Sequence, residues 1–330
     1  MKALCVKPNR ELELRDIPTP SEPAPGHVLI DMDSSAINHG DKTFLARPTT
    51  MTPTTSLHEV WGASGAGRVA AIGAGVPRIY AGKSVAVYRS LNRSPETIGL
   101  WCERAQAPYL SCVILPDTVR ARDYSGSLVN VITAYAFLEQ IGEDGHKGVV
   151  VTAGASATGR ALLALAPRRQ TPALFLVRSA AAQEELRRLG AEHTLVTTEE
   201  GFEGRFATLA ERMGATAIFD GVGGDLVTRL APHAPANSTF YFYGFLGGAA
   251  PISIGAALFM WKNLTMKRFS NFESATVRDR DKLGAALDDL RGVIGDPLFT
   301  TRIGSEFPLE QFDEAMRFES TPGAKAVLVP

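Results

Sequence analysis

His58 and Glu59 stand side by side, a few residues before the run Gly62-Ala63-Ser64-Gly65-Ala66-Gly67. Imidazole and carboxylate both bind zinc, so the pair raises metal chemistry at once. A lone histidine, here or at His39, is more often a hydrogen-bonded or exposed residue. A second candidate is VVVTAGASATGRALLAL. A buried-strand pattern runs into Ala153-Gly154-Ala155-Ser156-Ala157-Thr158-Gly159, and a helical pattern follows. A helix N-terminus offers unpaired N–H groups and a partial positive charge, which suit a pyrophosphate. Small residues let the backbone come close, and Gly159 lets the helix pack on the strand. The string is not a clean G-x-G-x-x-G, since Ala157 and Thr158 stand where glycine could; its strand–turn–helix context carries the reading. The plainer alternative is a tight turn with no ligand.

The end of the next strand, Val177-Arg178-Ser179, bears on which nucleotide would bind. NAD enzymes tend to place an acid there for the ribose hydroxyls. Arg178 is instead a fixed cation with several donors, suited to a 2′-phosphate. Glu184 and Glu185 fall inside the next helix, too far on. The expectation is NADPH, against the alternative that Arg178 is a solvated surface residue.

The elements that must position these groups come in two kinds. Ala3–Val6, Glu11–Arg15, His27–Met32, Gly67–Ile72 and Ser84–Tyr88 read as short strands separated by turn residues, with a Pro-rich turn over residues 18–25. This spacing suggests a barrel-like β unit. From Leu128–Gly142 onward, helix and strand alternate. Strands are expected at Gly148–Ala153, Ala173–Val177, Thr194–Val196, Ala217–Phe219 and Thr239–Tyr243. Helices are expected at Thr158–Ala166, Ala181–Leu189, Phe202–Met213 and Leu226–Leu230. That alternation implies a parallel sheet covered on both faces. An amphipathic helix over Arg278–Val293 and a last strand Lys325–Val329 match the first region better, so the chain is expected to return to its starting domain.

The chain of 330 residues is long enough for two cores. Its net charge of −1 and lack of a basic stripe argue against nucleic acid and anionic membrane as partners. The three cysteines, Cys5, Cys102 and Cys112, are odd in number and widely spaced, which points to a reducing compartment rather than a disulfide framework. No C-x-x-C pair supports a structural zinc lobe. The N-terminus turns charged too early for a signal peptide, and no apolar run approaches a transmembrane length. A soluble, cytoplasmic protein is expected.

The segments MKAL, VLIDMDSSAINHGD, GAGRVAAIGAGV, SLVNVITAYAFLEQ, VTAGASATGR, LRRLGAEHTLV, FDGVGG and GAKAVLVP occur in this order. The order resembles the medium-chain dehydrogenase/reductase superfamily, in its zinc-free quinone oxidoreductase and enoyl reductase branch. The resemblance spans nearly the whole chain. It implies an α/β protein with a GroES-like β-barrel domain (residues 1–121 and 272–330) and a Rossmann doubly wound parallel-sheet domain (residues 122–271). The cofactor would lie in the cleft between them, and a homodimer is common in this branch.

The same resemblance answers the metal question. Zinc members carry Gly-His-Glu-x-x-Gly-x-Val, and Gly62-Ala63-Ser64-Gly65-Ala66-Gly67-Arg68-Val69 fits that frame. The ligand positions hold Ala63 and Ser64, while His58 and Glu59 lie upstream and out of register. The family's zinc cysteine falls at Asn38 of Ile37-Asn38-His39-Gly40-Asp41. None of these side chains is a thiolate, imidazole or carboxylate, so no catalytic zinc is expected.

By resemblance, Asn38 lies near the nicotinamide and Thr133 near the cofactor's carboxamide end. Ser156, Ala157 and Thr158 cover the pyrophosphate. Gly221 belongs to the cofactor set, Tyr243, Gly244 and Phe245 line the nicotinamide, and Lys325 sits in the terminal Gly323-Ala324-Lys325 string. For each the alternative is core packing or turn chemistry, and Asn130 is as readily a helix cap as a ligand. One departure is Ala182, where quinone reductases often place a lysine for the 2′-phosphate. Another concerns thioester reductases, which use a tyrosine after the Asn-x-x-Asp segment. Here that stretch reads Lys42-Thr43-Phe44-Leu45-Ala46-Arg47-Pro48, with no tyrosine.

The expected activity is zinc-independent, NADPH-dependent hydride transfer to a quinone or an α,β-unsaturated carbonyl, with a small-molecule substrate. A 2-enoyl thioester reductase and a non-catalytic NADPH-binding protein remain as alternatives. Asn38, Tyr88 and Tyr243 are the substrate-cleft candidates. Residues 89–111 would either cover the substrate mouth or form a surface loop with a barrel strand.

Overall fold

A computed structural model describes residues 1–46, 56–248, 250–319 and 323–330. Arg47 and Pro48 of the stretch after Asn38 lie outside the described residues. The chain divides into two compact units, Met1–Asn130 with Asp279–Pro330, and Val131–Arg278.

The first unit opens with the antiparallel pair β1 (Lys2–Val6) and β2 (Leu12–Asp16). The long strand β3 (His27–Ala36) pairs antiparallel with both β4 (Ser64–Ile72) and β6 (Arg104–Pro108). β5 (Ser84–Tyr88) lies between β4 and β7 (Cys112–Ile114). Along β3 the residues Val28, Leu29 and Ile30 are buried, whereas Asp31 and Asp33 face solvent. Residues 89–111 are built into this unit: Leu91, Ile98, Leu100, Trp101 and Cys102 are buried, and the segment contributes β6.

The second unit carries β8 (Val149–Val151), β9 (Ala173–Val177), β10 (His193–Val196), β11 (Ala217–Asp220), β12 (Thr239–Phe242) and β13 (Thr265–Arg268). Every pairing is parallel, in the spatial order β10-β9-β8-β11-β12-β13. Numbered within the unit this is 3-2-1-4-5-6, the doubly wound Rossmann order. All but the edge strand β13 read as apolar runs because helices cover both faces. Val150, Leu174, Leu176, Ile218 and Phe240 form one core with Phe202 and Phe206 of the helix Phe202–Met213. Phe137 stacks on Phe219 at a centroid distance of 3.8 Å. Among the described residues no helix is long and apolar enough to cross a membrane.

The chain then returns to the first unit. The expected single helix Arg278–Val293 is two helices, Ala275–Arg278 and Arg280–Arg291. Asp279 separates them because its carboxylate caps the second, accepting from the N–H groups of Asp281 and Lys282. β14 (Ile303–Pro308) and β15 (Lys325–Val329) complete a sheet in the order β14-β15-β3-β4-β5-β7. Ser127–Glu143 is a helix as expected, with Asn130 inside it rather than at its cap. There the Asn130 amide donates to the carbonyl of Gly126 at 2.6 Å.

Candidate functional site

In the second unit, β8 ends at Val151 and the helix α1 (Ala157–Leu165) begins six residues later. Ser156 is its N-cap, and its hydroxyl accepts from the Gly159 N–H at 3.1 Å. A Cβ on Gly159 would stand 2.0 Å from the Gly154 carbonyl oxygen, so only glycine lets α1 sit this close to the turn. Ala157 is the first helical residue and Thr158, next to it, is buried. Small side chains and free N–H groups at a helix start make an anion cradle.

The strand beside β8 closes the other edge of this crevice, at the point where the sheet order reverses. Asp220 ends β11 and is fully buried. It accepts from the Thr152 hydroxyl at 2.7 Å and from the Gly223 N–H at 2.7 Å, while Gly221 N–H donates to Thr152 Oγ1 at 3.0 Å. Burial raises the Asp220 carboxyl above the ordinary carboxylate range, and these hydrogen bonds oppose the shift. Gly221 lies under the phenol of Tyr243, because a Cβ there would meet the Tyr243 Cζ and hydroxyl oxygen at 2.8 Å. Burial also pushes the Tyr243 phenol well above its usual range, helped by the charge of Asp220 and opposed by the Ser156 hydroxyl. The structure thus brings Ser156, Gly221 and Tyr243 together. Gly244 follows against the Gly221 carbonyl, and Phe245 is half exposed.

Arg178 lies just past β9 with its guanidinium in solvent, and no ion pair engages it among the described residues. Ser179 caps the next helix, Ala180–Arg188, through the Ala182 N–H, so the expected lysine position is a cap-side alanine. Thr133 is buried in the second unit, where its hydroxyl accepts from the Asn271 amide at 2.6 Å. Asn271 has no sequence signal of its own; it is met only once Phe269 and the strand before it are folded.

In the first unit, three side chains converge on Asn38. Lys325 Nζ donates to Asn38 Oδ1 at 2.5 Å. Asn38 Nδ2 donates to Ser64 Oγ at 2.7 Å and to Asp41 Oδ2 at 3.0 Å, and the Asn38 N–H donates to the same Asp41 oxygen at 2.9 Å. Asp41 is buried, which raises its carboxyl, and the Asn38 hydrogen bonds pull it back. Asp41 was not singled out by its sequence, although its place three residues after Asn38 is the capping-box spacing. Tyr88 is buried opposite Ser64 in the β4–β5 register. Next to it, Arg89 is buried, its Nη1 donating to the Val60 carbonyl at 3.2 Å and its Cζ 5.1 Å from the Trp61 ring centroid. Burial lowers the Arg89 guanidinium and the charge of Asp41 opposes that shift.

His58 and Glu59 do something else. Both are exposed, and the Arg15 guanidinium bonds to the Glu59 carboxylate at 3.1 Å and the His58 carbonyl at 2.9 Å. Among the described residues no group of three His, Cys, Asp or Glu side chains is placed to hold a metal ion.

Residues 24–130 match the alcohol dehydrogenase GroES-like domain. Over 207 residues the chain is 28% identical to the human synaptic vesicle membrane protein VAT-1 homolog, covering 62% of this chain and 50% of that protein. The chain therefore spans about half the length of that relative. An alcohol dehydrogenase superfamily protein from Novosphingobium aromaticivorans superposes with a TM-score of 0.78 at 19% identity, covering 100% of this chain and 99% of that one. The quinone oxidoreductase of Escherichia coli in complex with NADPH gives 0.74 at 20% identity, with the same coverage. Residues 24–130 thus match a GroES-like domain, and the whole chain shares the fold of these alcohol dehydrogenase superfamily and quinone oxidoreductase structures.

Proposed function

We propose that the chain is an NADPH-dependent oxidoreductase that reduces a quinone or an α,β-unsaturated carbonyl without a metal ion. The observation that carries this reading is the Asn38–Ser64 hydrogen bond of 2.7 Å. Two of the positions that serve zinc in the metal-dependent relatives here satisfy each other as an amide and a hydroxyl. The donor set offers no thiolate or imidazole, so a zinc ion does not fit it.

The second unit fits a dinucleotide. Gly159 leaves no room for a Cβ, Ser156 caps the helix, and the N-terminus of α1 favours a pyrophosphate. Arg178 at the end of β9 supplies a cation for a 2′-phosphate, with no carboxylate beside it in the Val177-Arg178-Ser179 turn. When bound, NADPH supplies the hydride. The protein's share is orientation and exclusion of water. Asn38 is fixed from three sides, and Lys325 holds a positive charge beside it. With nothing to lower an alcohol's pKa, unactivated alcohols are poor substrates, whereas a quinone or enone spreads the incoming charge itself.

The test is parallel fluorescence titration with NADPH and NADH, followed by 1,4-benzoquinone in the same cuvette, with and without a chelator. The expected result is tighter NADPH binding and chelator-insensitive consumption above background. Binding without consumption across quinones and enones would leave a nucleotide-binding protein instead.

A further inference from the structure

Among the described residues, Arg89 Nε, Trp61 Nε1 and Trp101 Nε1 are buried N–H donors of the first unit without a hydrogen-bond acceptor, as are Arg10 Nη2 and Arg15 Nε elsewhere in it. The residues of the first three are contiguous. The Arg89 guanidinium lies over the Trp61 ring, and the Trp101 main-chain N–H bonds to the Trp61 carbonyl at 3.0 Å. The Trp101 ring presses on the residue between, since a Cβ on Gly62 would meet its Cδ1 at 2.5 Å. A guanidinium has five donors. Arg89 makes one side-chain hydrogen bond among the described residues, to the Val60 carbonyl. Buried polar groups are normally satisfied, and a buried cation is costly without a hydrogen-bonded counter-ion.

Asp41 is the carboxylate whose charge acts on Arg89, and the phenol of Tyr88 and the cation of Arg93 are the other titratable influences. No hydrogen bond joins Arg89 to Asp41 among the described residues. The Asp41 oxygen Oδ2 is occupied by the Asn38 N–H and amide. Arg89 and Lys325 thus bring two cations to the surroundings of a single buried carboxylate. The backbone of Arg89 adjoins the Asn38 network. Its main-chain N–H bonds to the Ala63 carbonyl at 3.0 Å, and the neighbouring Tyr88 pairs with Ser64, which holds the Asn38 amide.

We infer that Arg89 is a specificity-determining residue that takes the anionic group of an acidic substrate, so that the acceptor reduced here carries a carboxylate or sulfonate besides its reducible bond. The inference rests on the reductase reading above and narrows its substrate class. A carboxylate offers two acceptor oxygens to a planar guanidinium fork, the geometry in which arginine outperforms lysine.

The test compares 4-oxopent-2-enoate with its methyl ester, which share one reducible C=C and differ by one charge. With NADPH, kcat/KM for the acid should exceed that for the ester by about tenfold or more, the low end for one charge-assisted hydrogen bond. Arg89→Gln should collapse that ratio toward unity, and Arg89→Lys should restore part of it. A ratio near one in the unmutated protein overturns the inference without needing a variant. So does an equal loss for both acceptors in an Arg89→Gln protein that keeps its melting curve. The non-reducible acid 4-oxopentanoate and its methyl ester give a readout free of turnover, through fluorescence of the tryptophans beside Arg89. Selective quenching by the acid when neither enone is consumed would keep the anion site and remove the reductase reading. Neither quenching nor turnover would overturn both.

Discussion

Lys325 Nζ and Asn38 Oδ1 lie 2.5 Å apart although 287 residues separate them in the chain. The bond ties the first turn after β3 to the first residue of β15. It also fixes which end of the Asn38 amide faces the lysine, because Nδ2 is committed to Ser64 and Asp41. Replacing either partner leaves the other with a lost charge-assisted bond, so Asn38→Ala and Lys325→Met should each cost about 1–3 kcal/mol. Because both remove the same contact, the double variant should lose less than the sum of the two. Urea denaturation of the four proteins in the cycle measures this; strict additivity would mean that the contact contributes nothing.

Gly159→Ala places a methyl 2.0 Å from a carbonyl oxygen that cannot move without opening the turn. A penalty of about 1–3 kcal/mol in stability is expected from overpacking. NADPH affinity should fall in parallel, read by fluorescence titration of the variant at a temperature where it remains folded. Unchanged affinity would separate this turn from the nucleotide.

Arg178→Ala should weaken NADPH about tenfold to a hundredfold and leave NADH nearly as before, since the exposed guanidinium is expected to meet only the 2′-phosphate. The measured quantity is the ratio of the two dissociation constants. A common loss for both nucleotides would assign Arg178 a different contact.

Asp220 has its carboxyl raised by burial, so the folded state binds its proton more tightly than the unfolded chain does. For a raised acid, stability is greatest below the unfolded pKa and declines as pH rises toward the folded one. Asp220→Asn lacks this titration. The difference in unfolding free energy between native protein and variant should therefore shift against the native protein as pH climbs out of the acid range. Denaturant midpoints taken at several pH values give that difference. A flat difference would show that the hydrogen bonds from Thr152, Val222 and Gly223 cancel the effect of burial.

Cys5, Cys102 and Cys112 are all free and buried, and burial raises each thiol above its ordinary range. Thiolate is the reactive form, so a thiol reagent such as Ellman's should find no fast site in the folded protein. In denaturant it should titrate three. A fast site before unfolding would show that the unit around β1 and β7 opens on the timescale of the assay.

The sequence reading worked where one periodicity dominates. Ser84–Tyr88, Ala173–Val177, Phe202–Met213 and Lys325–Val329 have the same bounds in the structure. Thr265–Arg268 escaped it because an edge strand of Thr, Met, Lys and Arg, exposed over most of its length, carries no apolar alternation. Ile303–Pro308 escaped for a related reason, and the strand within residues 89–111 stood only as one of two alternatives: polar residues hide the pattern, and pairing with distant strands decides their state. The helix start at Ser156 was legible from local chemistry. The Asn38–Asp41–Ser64–Lys325 network was not, since three of its four members come from different strands and turns, and spacing along a chain cannot report a meeting across a sheet.

The seven-stranded sheet has a consequence for how the protein is made. β15 is hydrogen-bonded between β14 and β3, so a strand begun at His27 waits for a neighbour synthesised much later in the chain. Val131–Arg278 leaves the ribosome complete, with all six of its parallel strands, before Lys325 has been translated. The middle of the chain can therefore settle during elongation, as domains generally do, while the earlier-made part holds an open edge at β3. Such long-range closure is slow, and the exposed edge is where a chaperone or a premature stop codon would have its largest effect.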